Sequence, residues 1–169
     1  MHYSIDLETL DTEPSAVVLS IGIVPFNQSL IYPGRLYHPD IQEQINKGRT
    51  ISGDTFFWWL SQDSGAREAI YSPERFEMKT ILTSISEFMI DAEGVWGNGS
   101  DFDNVILGSL YTQEDMRRPW SYTRNRDLRT LRLLVNGPVP EYQGTAHNAL
   151  DDARNQAGIA QALLWKGVQ

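Results

Sequence analysis

The stretch YSIDLETLDTEPSAVVLSIGIVPF, residues 3–26, decides how the chain begins to fold. Residues 3–9 read as a strand, DTEPS as a polar turn, and AVVLSIGIVPF as a second strand pairing back on the first. Within the first strand, Asp6 and Glu8 are one residue apart. Residues i and i+2 of a strand leave the same face, so the two carboxylates point the same way. They repel each other unless something positive lies between them. A strand running out into a polar loop also carries acids near its end, and this stretch alone does not separate the two readings.

The chain has 169 residues, enough to bury a proper core and expected to form one domain over 1–169. Its apolar and charged fractions, 41% and 21%, are those of a soluble globular protein. No apolar run reaches membrane-spanning length, and MHYSID reads as the first strand rather than as a leader. A cytoplasmic protein with no membrane association is the expectation. The absence of cysteine excludes disulfides and thiolate metal sites.

The net charge of −8 argues against binding nucleic acid through the whole surface. Its distribution is uneven. Arg117, Arg118, Arg124, Arg126, Arg129 and Arg132 make six of the 14 basic residues, and only Asp127 opposes them in that window. This is either a local basic strip on an acidic body or a solvated face.

Further along, SLIYPGRLYH (29–38) reads as a third strand broken by a hairpin at Pro33-Gly34. DTFFWWLSQDSGAREAIY (54–71) reads as a helix. Residues 76–92 place Ile81, Ile85, Phe88 and Met89 on one stripe of another. GVWGNGSDFDNVILGSLYTQ (94–113) gives a short strand, a glycine-rich turn and a helix. RDLRTLRLLV (126–135) and AHNALDDARNQAGIAQALLWKG, ending near Gly167, are helical. Strands first and helices after, with a strand–turn–helix unit inside, predict an α/β fold with helices on a mixed sheet.

Helical geometry separates the paired acids. For a helix starting near residue 102, Asp101 sits at the N-cap, while Asp103 shares a face with Ile106, Leu107 and Leu110. A carboxylate on an apolar face needs a cation, so Asp103 is the functional candidate. In HNALDDA, Asn148 and Asp151 resemble a capping box, with Asp151 outward and Asp152 on the packed face with Gln156, Ile159 and Leu163. His147 precedes the cap and can lean toward Asp152. Asp6, Glu8, Asp103 and Asp152 are thus all expected to face inward. Four such groups cannot converge bare. Two divalent cations resolve the conflict, and an all-oxygen ligand set favours Mg²⁺ or Mn²⁺ over zinc. A two-ion clamp serves phosphodiester hydrolysis, leaving His147 free as general base.

The sequence resembles the DEDDh 3′–5′ exonucleases of the ribonuclease H-like superfamily. DLET (6–9) looks like their first motif, GNGSDFDN (97–104) like the second, and HNALDDA (147–153) like the third, in the right order along nearly the whole chain. DTFFWWLSQ and RDLRTL resemble a compact subgroup that includes the phage exonuclease A type and a mycobacterial adenylate-preferring exoribonuclease. The resemblance implies a ribonuclease H-like fold, with Asp6 bridging two metals, Glu8, Asp103 and Asp152 completing the shell and His147 as base. One departure stands in the second motif: the step from Asn98 to Asp103 is five, where many relatives have four, and Asp101 remains the alternative.

By the same resemblance, Thr9 and Leu10 would line the floor under a terminal nucleotide, with Asn98 as a further substrate contact. Four consecutive aromatics, FFWW (56–59), cannot share one helix face. Most are expected in the core, with Trp58 or Trp59 stacking on an unpaired base. The implied activity is release of nucleoside 5′-monophosphates from single-stranded 3′ ends, RNA slightly favoured over DNA, by a homodimer. The alternative is a catalytically silent nucleic-acid-binding module, which would have no reason to sustain buried like charges.

Overall fold

The computed structural model describes residues 1–99 and 101–166. Its sheet has five strands: β1 (His2–Thr9), β2 (Val18–Phe26), β3 (Arg35–Tyr37), β4 (Gly94–Gly97) and β5 (Asn125–Asp127). Their order is β3-β2-β1-β4-β5. β1 pairs antiparallel with β2, with Asp6 opposite Gly22 and Glu8 opposite Ser20. β2 pairs antiparallel with β3, whereas β4 runs parallel to β1 and to β5. The mixed sheet flanked by helices is the architecture the sequence predicts.

Seven α-helices accompany the sheet among the described residues: α1 (Ile41–Asn46), α2 (Gly53–Ser61), α3 (Ser64–Ala69), α4 (Met78–Phe88), α5 (Asp103–Gln113), α6 (Leu128–Leu134) and α7 (Ala149–Gln161). β2 is buried from end to end because helices cover both faces. On one face, Ile5, Leu7, Ile21 and Ile23 pack with Leu82 and Ile85 of α4 and Ile106, Leu107 and Leu110 of α5. On the other, Val24, Phe26 and Trp96 pack with Ala153, Ala157 and Ala160 of α7. The alanine stripe lets α7 lie close to the sheet.

Several boundaries differ from the sequence reading, each for a local reason. The chain reverses after β2 at 27–30, not at Pro33-Gly34: the Asn27 side-chain oxygen accepts from the Ser29 and Leu30 backbone N–H groups, and β3 is only three residues long. The helix expected over 54–71 is two, because Gln62 is extended and Asp63 caps α3 by accepting from Ala66 N–H. α1 lacks an apolar period and was not expected. Its buried Gln44 hydrogen-bonds both backbone groups of Val18, giving it a reason to form at that place. Arg126 and Asp127 join the sheet before α6 begins, so β5 takes the start of a segment expected to be helical. α7 passes into a π-type turn over Ala162–Lys166, and the expected end at Gly167 lies outside the described residues.

Candidate active site

β1 and β4 run parallel, so their C-terminal ends lie at one end of the sheet, and the acids gather there. Asp6, Glu8, Asp103, His147 and Asp152 line a single cavity of about 320 Å³, together with Leu7, Asn98, Phe102, Arg129 and Gln156. Asp103, in the first turn of α5, is 3% exposed. Its carboxylate ties β1 to the turn that follows β4, accepting from Leu7 N–H at 3.1 Å and from Asn98 N–H at 3.1 Å. Asp101 is not the N-cap of α5. Phe102 holds that position without a side-chain hydrogen bond, and Asp101 is exposed on the turn.

α7 delivers the fourth acid. Asn148 caps it by accepting from Leu150 and Asp151 N–H. Only half of the expected capping box forms, because Asp151 accepts from Thr145 N–H rather than reaching back to Asn148. His147 adopts φ +62°, a left-handed conformation uncommon for residues other than glycine. That backbone turn points the His147 N–H at Asp152 Oδ2, 2.9 Å away. Its ring sits with Nδ1 4.0 Å from Glu8 Oε1 and stands edge-on to Trp58, 5.0 Å between centroids.

Burial and mutual repulsion act on the acids together. Asp6 holds its proton far above the usual carboxylate range, first through burial and then through the charges of Asp103, Glu8 and Asp152. Glu8 is pushed up to about 8 by burial, with Asp152 and Asp103 adding to it. Burial raises Asp103 to about 6 even though backbone N–H groups oppose the shift, and it raises Asp152 too. Such a cluster binds protons or cations readily. Ligand atoms of Glu8, His147 and Asp152 come within 4.8 Å of one another. A donor set dominated by carboxylate oxygens fits a hard divalent ion.

Two partners of the acids carried no role in the sequence reading. Gln156 donates to Asp6 Oδ1 at 2.6 Å, and its place four residues after Asp152 on the same helix face is a signal that could have found it. The Tyr142 hydroxyl lies 2.8 Å from Asp152 Oδ1 and 2.9 Å from the Thr145 carbonyl. Tyr142 reaches the site from a loop, where no periodicity marks it.

Beside the acidic cavity lies a larger, mainly apolar one of about 470 Å³, bordered by Leu7, Glu8, Thr9, Thr12, Trp58, Trp59 and Phe102. Of the four aromatics, only Trp59 is buried, its indole N–H donating to the Thr9 carbonyl at 2.8 Å. Phe56, Phe57 and Trp58 are 48%, 69% and 42% exposed, so most of the cluster lies outside the core, contrary to expectation. Leu7 borders this cavity, while Leu10 packs behind it against Leu19, Trp59 and Ala66.

A mixed sheet with four carboxylates and a histidine gathered into one cavity from β1, α5 and the start of α7 has the fold and site of a nuclease. The family model described as the 3′-5′ exoribonuclease Rv2179c-like domain matches residues 1–164, and the chain belongs to that family. Two solved structures share the ribonuclease H-like fold. The nuclease domain of 3′hExo, a DEDDh family member bound to rAMP, aligns with TM-score 0.59 and 14% identity over 98% of this chain and 92% of that one. Exonuclease X in complex with 5′ overhanging duplex DNA aligns with TM-score 0.61 and 15% identity over 97% and 91%. Comparison with curated proteins returns no match. Among the described residues, no helix is long and apolar enough to cross a membrane.

Proposed function

We propose that the whole chain is one exonuclease domain that removes nucleoside 5′-monophosphates from single-stranded 3′ ends, RNA before DNA. One observation carries this reading: four carboxylates from three separate elements border one cavity with His147. Asp6, Glu8, Asp103 and Asp152 would hold two Mg²⁺ or Mn²⁺ ions. Such ions, when bound, make water a stronger acid and neutralise charge on the leaving oxygen.

The protein's own groups do the rest. Gln156 fixes the rotamer of Asp6, and the Leu7 and Asn98 amides fix that of Asp103. His147, turned toward the cavity beside Glu8, takes the proton of the attacking water on its ring. The mainly apolar cavity receives the terminal base against Trp58 and Phe102, with Thr9 and Asn98 near the sugar and phosphate. Single strands suit this reading, because a base must leave its stack to enter. Homodimerisation and a cytoplasmic location complete the proposal, the first favoured by the exposed Leu133 and Leu134 of α6.

The test is digestion of 5′-labelled single-stranded RNA and DNA with Mn²⁺, and with the ion chelated. A ladder shortening one nucleotide at a time, faster on RNA and absent on chelation, is expected. Internal cuts, or binding without cleavage, overturn the reading.

A further inference from the structure

Six arginines crowd residues 117–132, and the structure gives them different occupations. Arg126 bonds the Thr123 and Asn125 carbonyls, Arg124 bonds the Glu93 carbonyl, and Arg118 lies 5.7 Å from the Trp120 ring. Arg129 differs. Among the described residues, it is the only arginine or lysine bordering the acidic cavity. Among the described residues, its guanidinium makes no hydrogen bond and no ion pair within 4 Å, though its charge acts on Asp103. An exposed guanidinium at the rim of four carboxylates, its donors unbonded to any described residue, can meet an anion.

Arg129 also borders a third hollow, of about 300 Å³, formed with Thr12, Asn98, Gly99, Asp101 and Phe102. Gly99, at φ +154°, turns the chain where a side chain would be strained. A Cβ there would lie 3.8 Å from the guanidinium carbon, so this turn and Arg129 form facing walls. Phe102 borders all three cavities, and this hollow shares Asn98 and Arg129 with the acidic one, so the three adjoin. A strand with its terminal base in the first and its scissile phosphate in the second continues into the third.

Resting on the nuclease reading, we infer that Arg129, with Asn98 and Gly99 facing it, forms a subsite for the backbone phosphate on the 5′ side of the scissile one. The guanidinium meets that phosphate with its planar fork. It thereby sets how strongly the enzyme prefers a strand that continues beyond the nucleotide pair being cut. Asp101 borders the same hollow and keeps it from becoming a general anion trap.

The experiment compares two dinucleotides, with and without a 5′-phosphate, as substrates of the wild type and of Arg129→Gln, Arg129→Lys and Arg126→Gln, each with Mn²⁺. Wild type is expected to favour the phosphorylated dinucleotide in KM. Arg129→Gln reduces that preference about tenfold or more, acting on KM rather than kcat. Arg129→Lys restores part of it, and Arg126→Gln leaves it intact. Mn²⁺ affinity, measured by titration calorimetry, stays within about twofold of wild type in all three variants. Equal losses on both dinucleotides in Arg129→Gln, or a matching loss in Arg126→Gln, would mean diffuse attraction and overturn the subsite. A large drop in Mn²⁺ affinity in Arg129→Gln would instead make Arg129 a support for Asp103, which also overturns it. A wild type that cleaves neither dinucleotide nor any longer strand brings down the nuclease reading itself.

Discussion

Gly22 and Ala149 are in backbone contact: a Cβ built on Gly22 would stand 2.0 Å from the Ala149 carbonyl oxygen. Gly22 is the partner of Asp6 in the β1–β2 ladder, and Ala149 opens α7. The glycine therefore lets the helix that carries Asp152 reach the strand that carries Asp6.

Gly22→Ala is expected to push α7 off the sheet. The clash is with backbone, which cannot rotate away, so a loss of about 3 kcal/mol is expected. Urea unfolding measures it, and turnover should fall further than stability. A variant of unchanged midpoint would show that α7 does not need this close approach.

Without metal, the protein should grow less stable as pH rises from about 4.5 to about 8. Glu8, with an ordinary value of 4.5, holds its proton up to about 8 when folded, and Asp6 too is raised well above its ordinary value, first by burial. The unfolded chain releases these protons first, so raising pH favours it. A change of about 1 kcal/mol moves the melting temperature by about 2–4 °C at this length. Asp6→Asn keeps the oxygen that accepts from Gln156 and removes a group that must take up a proton on folding. It should melt higher than wild type at pH 8 without metal and lose turnover entirely. A metal-free melting temperature that climbs through this range would contradict the crowding of charge.

His147→Asn is chosen because asparagine tolerates the backbone conformation at φ +62° better than alanine does. Its N–H still reaches Asp152. A loss of about 10²–10⁴ in kcat is expected if the ring takes the proton of water, with Mn²⁺ affinity by calorimetry little changed. Near-normal kcat would remove the ring from that role.

Asp103→Asn should abolish Mn²⁺-dependent turnover, whereas Asp101→Asn should retain it within about threefold. The first residue is buried between two backbone donors and the second is exposed. Steady-state digestion of one labelled strand decides between them, and the reverse pattern would reassign the third acid.

Trp58→Ala should raise KM about tenfold with kcat nearly kept, in line with about 1–3 kcal/mol for a stacked base. Trp59→Ala tests a different matter. Trp59 is buried and bonded to the Thr9 carbonyl, so its loss should appear in the melting temperature as well.

The sequence by itself determined the sites of the acids. Strand alternation put Asp6 and Glu8 on one face, and helix periodicity chose Asp103 and Asp152 over their neighbours Asp101 and Asp151. These are local rules, readable over a few residues. What the tertiary structure decided is everything that depends on which elements touch. Tyr142 meets Asp152 from an irregular loop, and Arg129 alone of its basic strip borders the acids. Trp59 turned inward while Trp58 stayed at the surface. The Pro33-Gly34 reversal gave way to an asparagine turn at 27–30, because side-chain bonds to nearby backbone outweighed the usual turn residues. Contacts between residues over a hundred positions apart leave no period in the sequence, and only the packing of α7 against the glycine in β2 brings them together.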